Sequence, residues 1–212
     1  MNTLETVLFL VLGWLFGLLS PTIVDAIKRR REIKEVKAAL IVELQELQYT
    51  LIGMVFLIAD HTGKYDRKLL EWMRPIVERY EGIHYTDSIL KMVKESLTLS
   101  DEQLAMLAEK TKGDSSKGLS LKKHFAPLLD SKIAQLGSFD QPFQNILLEV
   151  RSYLNMINEH IEHYNFYFYK TFDSSLTLEI RANISDNMQG SYNVISEQAC
   201  IVVDLIERLL KK

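Results

Sequence analysis

Cysteine is almost absent from this chain of 212 residues; Cys200 is the single example. That excludes a disulfide framework and any zinc or iron–sulfur centre built on several thiolates. Glycine and proline are scarce too, at nine and four residues, roughly half their usual combined share of ~12%. Strand-rich folds need many turn residues, so this scarcity points to long helices with few connections. An excess of positive charge is also missing: 25 Lys and Arg face 28 Asp and Glu, a formal charge of −3. Nothing in that balance calls for a nucleic-acid partner. Nor is the chain polar enough to stay disordered, with 47% hydrophobic against 25% charged residues.

What is present is a charge-free N-terminal stretch. Thr6 to Val24 (TVLFLVLGWLFGLLSPTIV) is 19 residues long, and 12 of them are Leu, Ile, Val or Phe. As a helix it spans about 28 Å, close to the ~30 Å hydrocarbon core of a bilayer. The twelve apolar side chains contribute roughly −4 to −7 kcal/mol toward insertion, an upper bound because terminal positions count less. The stretch reads as transmembrane. A cleaved signal peptide fits poorly, since such peptides carry positive charge before their apolar region, whereas Glu5 is the only charged residue ahead of this one. The basic cluster Lys28-Arg29-Arg30-Arg31 follows the span instead. By the positive-inside bias it holds the C-terminal side in the cytoplasm, which places the chain in the cell membrane as a single-pass protein. The same four residues lie where anionic lipid head groups would be met.

Gly13 and Gly17 form a GxxxG, and Thr6, Gly13, Gly17 and Ser20 share one helix face. Small residues at this spacing let two backbones approach in lipid, so a homo-oligomer packed through Gly13, Gly17 and Ser20 is expected. Pro21 is expected to kink the helix or to start a new one.

Beyond Pro21 the periodicity is helical almost to the end. Ile33, Val36, Leu40, Leu44, Leu47, Leu51, Met54 and Ile58 recur at steps of three and four. Leu47 to Ala59 lacks charge but is too short to cross a bilayer, so it reads as a buried helix. Short helices are expected at Asp66–Tyr80, with a bend at Pro75, and at Asp87–Leu97. Another follows the capping box Ser100-Asp101-Glu102-Gln103. Thr111 to Ser120 (TKGDSSKGLS) is the best loop, and a helix from Leu121 to Leu136, bent at Pro127, is expected after it. Asp140 with Pro142 opens a long helix whose Phe143, Leu147, Val150, Leu154, Ile157, Ile161, Tyr164 and Phe168 make a heptad seam. Asp173-Ser174-Ser175 is expected to cap the last helix, with a possible break at Gly190–Asn193. The fold class is therefore all-α. Residues 1–24 form a transmembrane anchor, and residues 25–212 form a cytoplasmic bundle of long antiparallel helices with several short ones.

Motifs for chemistry are thin. Glu159, His160 and His163 are the only metal-like constellation, but neither HExxH nor a pair of Glu-x-x-His helices is present. No metal and no cofactor is therefore expected. Gly113 to Gly118 imitates a phosphate loop, yet Leu119-Ser120 stands where Lys-Ser/Thr is required. GxSxG is absent, and Cys200 lies in an apolar run. Tyr164, Phe166, Tyr167, Phe168 and Tyr169 are five aromatics in six residues. Successive helical residues point about 100° apart, so these rings serve a core layer, an oligomer contact or the membrane surface. The last would follow if the chain left the membrane along Ile33–Ile58 and returned along Phe143–Phe168. The expected function is a membrane-tethered, non-enzymatic interaction, scaffold or signalling module that self-associates and meets an unidentified protein partner. The alternatives are a stimulus-gated, toxin-like membrane effector and, further off, a metal-binding bundle enzyme.

Overall fold

The computed structural model describes residues 3–82, 87–113 and 118–211, without the side chains of 3–6, 8, 9, 15, 16, 18–21 and 87. Its regular structure is entirely helical, with no strand among the described residues. In chain order the helices are α1 (Thr3–Thr62), α2 (Arg67–Arg79), α3 (Asp87–Leu97), α4 (Asp101–Thr111), α5 (Pro127–Ser131), α6 (Gln141–Lys170) and α7 (Leu178–Leu210). A 3-10 turn, Ile133–Ser138, lies between α5 and α6.

The chain divides into two compact units, Met1–Leu40 and Ile41–Lys212. The first is helical from Thr3 onward. Pro21 lies inside that helix and opens no second one, which corrects the alternative of a fresh start there. The side chains described between Val7 and Glu32 are all exposed, apolar ones included.

The second unit is built around the Ile41–Thr62 stretch of α1. Its Leu44, Leu47, Leu51, Met54 and Ile58 are buried, as their spacing predicts, together with Ile52 and Val55. Full burial of each such side chain stabilises the fold by about 1.5–3 kcal/mol. The seam of α6 is buried from Phe143 through Leu147, Val150, Leu154, Ile157 and Ile161 to Tyr164. Facing it, α7 buries Ile184, Met188, Tyr192, Ile195, Ala199, Val202 and Leu209, and runs unbroken through Gly190.

Polar contacts fix the directions. Gln48 Nε2 donates to the Val203 carbonyl at 3.1 Å, and the His61 ring meets Tyr192 edge-on at 5.6 Å, so this stretch of α1 runs antiparallel to α7. Tyr164 lies against Tyr192 at 4.9 Å across the α6–α7 hairpin, which is itself antiparallel. It follows that α6 runs parallel to Ile41–Thr62. The hairpin tip is thus at the end of this unit opposite Ile41. At 33 residues, α7 is about 50 Å long.

Helix ends follow their local chemistry, with two corrections. Ser100 and Gln103 form the capping box, the Asp140 side chain accepts from Phe143 N with Pro142 in the first turn, and Pro75 lies within α2. The last helix, however, begins at Leu178, where Thr177 Oγ1 accepts from Ile180 N. Asp173 instead accepts from the amide and hydroxyl of Ser175, a local turn that competes with capping. The second correction concerns Leu121–Leu136. Residues 118–126 carry no helix; Pro127 drives Ala126 out of the α region (φ −125°, ψ 73°) and serves as the first residue of the short α5.

Candidate functional site

The first unit presents an apolar surface among its described side chains. Val7, Leu10, Val11, Leu12, Trp14, Ile23, Val24 and Ile27 are exposed, Trp14 at 66%. No atom lies within 4 Å of a Cβ placed on Gly13 or Gly17, so that face is open. The side chains of Thr6, Ser20 and Pro21 lie outside the described residues. Lys28, Arg29, Arg30 and Arg31 are exposed, and Arg31 Nε pairs with Glu35 Oε1 at 2.8 Å. Among the described residues, one helical stretch, Thr22–Thr62, is long and apolar enough to cross a membrane, and half of its most apolar window is buried. That burial belongs to the α1 positions that line the helical core, in keeping with the reading of Leu47–Ala59 as a buried helix.

The aromatic run of α6 divides by direction. Tyr164 is fully buried, Tyr167 and Phe168 are half-buried, and Phe166 and Tyr169 are exposed. The Tyr164 hydroxyl donates to the Leu119 carbonyl at 2.7 Å and lies 2.7 Å from the Tyr192 hydroxyl, whose oxygen accepts from Leu119 N at 2.8 Å. With Tyr164 donating to the carbonyl, Tyr192 donates to Tyr164, and the four groups close a ring. Burial pushes both phenols above their ordinary range, so both stay neutral and act as fasteners for the chain.

What they fasten is the extended segment 118–126. Asn158 grips His124 on both sides, accepting from its amide at 2.8 Å and donating to its carbonyl at 2.6 Å. Asn165 Nδ2 donates to the Leu121 carbonyl at 3.1 Å. Lys123 pairs with Glu162 at 2.7 Å. Asn158, Glu162 and Asn165 are spaced four and three, so one face of α6 holds a strap lying along it. The backbone polar groups that a helix would have satisfied internally are satisfied by these side chains instead. Beyond the strap, Glu43 accepts from the amides of Leu128 and Leu129 at 2.7 and 2.8 Å and caps α5.

Elsewhere the candidate chemistry disperses. Glu159 and His163 are exposed and His160 is half-buried, and no group of three His, Cys, Asp or Glu among the described residues could hold a metal ion. Burial, with the Asp204 and Glu197 carboxylates nearby, pushes the Cys200 thiol up to about 11, which leaves it protonated. A cleft of about 290 Å³ is lined by Val42, Gln45, Glu46, Gln48, Arg79 and Tyr80. Several of its polar groups are paired: Arg79 Nη1 donates to Glu207 Oε1 at 3.1 Å, Gln48 Nε2 reaches Glu207 Oε2 at 3.3 Å, and the Tyr80 hydroxyl donates to Glu46. Tyr49 stacks on Tyr80 at 3.8 Å. Hydrogen bonding from Arg79 holds the Glu207 carboxyl at about 2. These pairs tie α1, α2 and α7 together.

Sequence reading missed the anchoring roles of Asn158, Asn165 and Tyr192. The available signal was the seven-residue spacing of the two asparagines with Glu162 between them. Comparison with protein-family models, curated proteins and solved structures finds no match.

Proposed function

We propose that this chain is a single-pass membrane-tethered, non-enzymatic interaction module. Its N-terminal helix is the anchor, and its Ile41–Lys212 unit is a bundle-like cytoplasmic domain that meets a protein partner. The observation that carries the reading is the exposed, charge-free side of the first helix, followed directly by Lys28–Arg31. Leaving that much contiguous apolar surface in water is costly for a lone chain, and hydrocarbon removes the cost. The paired polar groups and protonated thiol of the second unit support a binding role over a catalytic one. Self-association is assigned to the Gly13/Gly17 face, which is open in the single chain. Tethering then raises the local concentration, so that weak helix–helix contacts suffice.

The test is membrane fractionation of the full-length protein with alkaline carbonate washing, combined with reporter fusions at each end. Retention in the washed membrane with a cytoplasmic C-terminal reporter is the expected result. Release into the wash, or an external C-terminal reporter, overturns the assignment. Gly13→Ile and Gly17→Ile should abolish in-membrane crosslinking between copies while leaving insertion intact.

A further inference from the structure

We infer that Lys28, Arg29, Arg30 and Arg31 form a cationic collar that selects anionic phospholipid head groups around the anchor. The inference rests on the anchor reading above and deepens it. Positive residues that merely decorate one face of a helix lying in the membrane plane recur at steps of three and four. Here four are consecutive. At 100° per residue they sweep roughly 300° around the axis within a rise of about 4.5 Å. That ring is about one head-group layer thick, a geometry suited to a helix that crosses the bilayer and meets lipid on every side.

Exposure and pairing agree with this. All four side chains are exposed. Arg31 is engaged by Glu35, whereas Lys28, Arg29 and Arg30 make no ion pair among the described residues. Between Asp25 and Lys37 six basic residues face three acidic ones, although the whole chain is net negative at −3. The ring lies one turn past Val24, the last residue of the apolar stretch, at the depth of the phosphates. The ligand chemistry is a phosphate monoanion, and the ring form together with the adjoining apolar surface assigns it to lipid and not to a free anion. Each unpaired cation near an anionic surface is worth about a fivefold preference.

The experiment ejects the full-length protein from nanodiscs of mixed phosphatidylcholine and phosphatidylglycerol and identifies the lipids retained on it by native mass measurement. The retained lipid should be enriched about fivefold or more in phosphatidylglycerol over the disc composition. K28Q/R29Q/R30Q should return it to the disc composition, while K68Q/K110Q/K122Q, an equal charge change on exposed lysines of the second unit, should leave the enrichment unchanged. Inorganic phosphate at the ionic strength of a chloride control should also leave it unchanged. Retained lipid that matches the disc composition in the parent protein, or enrichment that survives the collar substitutions, overturns the proposal alone. Loss of enrichment in inorganic phosphate overturns the lipid in favour of a free anion. A chain that enters no disc overturns the anchor reading and this one with it.

Discussion

Replacing Glu207 by glutamine removes the carboxylate on which α1, α2 and α7 converge. Glu207 accepts from both terminal nitrogens of Arg79 and from Gln48, and its side chain is only 14% exposed. Its carboxyl is held at about 2 against an ordinary 4.5, which sets a ceiling of roughly 3 kcal/mol at ~1.4 kcal/mol per tenfold change in proton affinity. Arg79 is 41% exposed, so water screens the pair and about 1–2 kcal/mol is the reasonable expectation. A carboxyl depressed in the folded state stabilises above its unfolded value and ceases to do so as it protonates. The contribution is therefore complete above about pH 4.5 and disappears as pH falls toward 2. Thermal or urea unfolding of the full-length protein and of Glu207→Gln in mild detergent, measured from pH 7 to pH 2.5, reads this directly. The two curves should be separated by ~1–2 kcal/mol at pH 7 and converge at the acidic end. A gap that stays constant with pH would show that the variant acts through packing and would refute the electrostatic argument.

Three further outcomes can be checked. Gly190→Ala should stabilise the protein by about 0.5–1 kcal/mol in the same unfolding assay, because Gly190 is helical, exposed and has no neighbour within 4 Å of an added Cβ. Asn158→Ala leaves the His124 amide and carbonyl without their partner; a loss of ~1–3 kcal/mol is expected, with faster amide hydrogen exchange confined to residues 118–126. Gly118→Ala should destabilise strongly, since its Cβ would stand 2.3 Å from Met188 Cε and 2.4 Å from the Tyr164 hydroxyl; a variant as stable as the parent would contradict the packing described for the strap.

The long helices were legible because their signals are repetitive. A buried residue every three or four positions, sustained over Leu44–Ile58 and Phe143–Tyr164, leaves little room for another conformation, and Ser100, Asp140 and Pro142 punctuate it by local hydrogen bonding. Legibility failed where the outcome depends on distant groups. Leu121–Leu136 has helix-forming residues, yet 118–126 is extended, because Asn158, Tyr164, Asn165 and Tyr192 supply from elsewhere in the chain the bonds that a helix would have made. Asp173 and Thr177 are both good caps, and only the competing Ser175 contact separates them. The parallel course of α6 and Ile41–Thr62 could not be read either, since periodicity gives a face and no direction. Of the candidate residues, the fate of the aromatics was set by rotation about α6: Tyr164 turns inward while Phe166 and Tyr169 turn out.

The bond from Gln48 to Val203 joins residues 155 positions apart, which makes this an assembly closed by a helix synthesised long after its partner. At ~5–20 residues per second, about 8–30 s of translation separate the emergence of the two partners. For that interval the apolar flank of Leu44–Ile58 has no α7 to shield it. The nascent polypeptide thus leaves the ribosome with two greasy segments in tandem, and the second of them stays uncovered until the shield arrives.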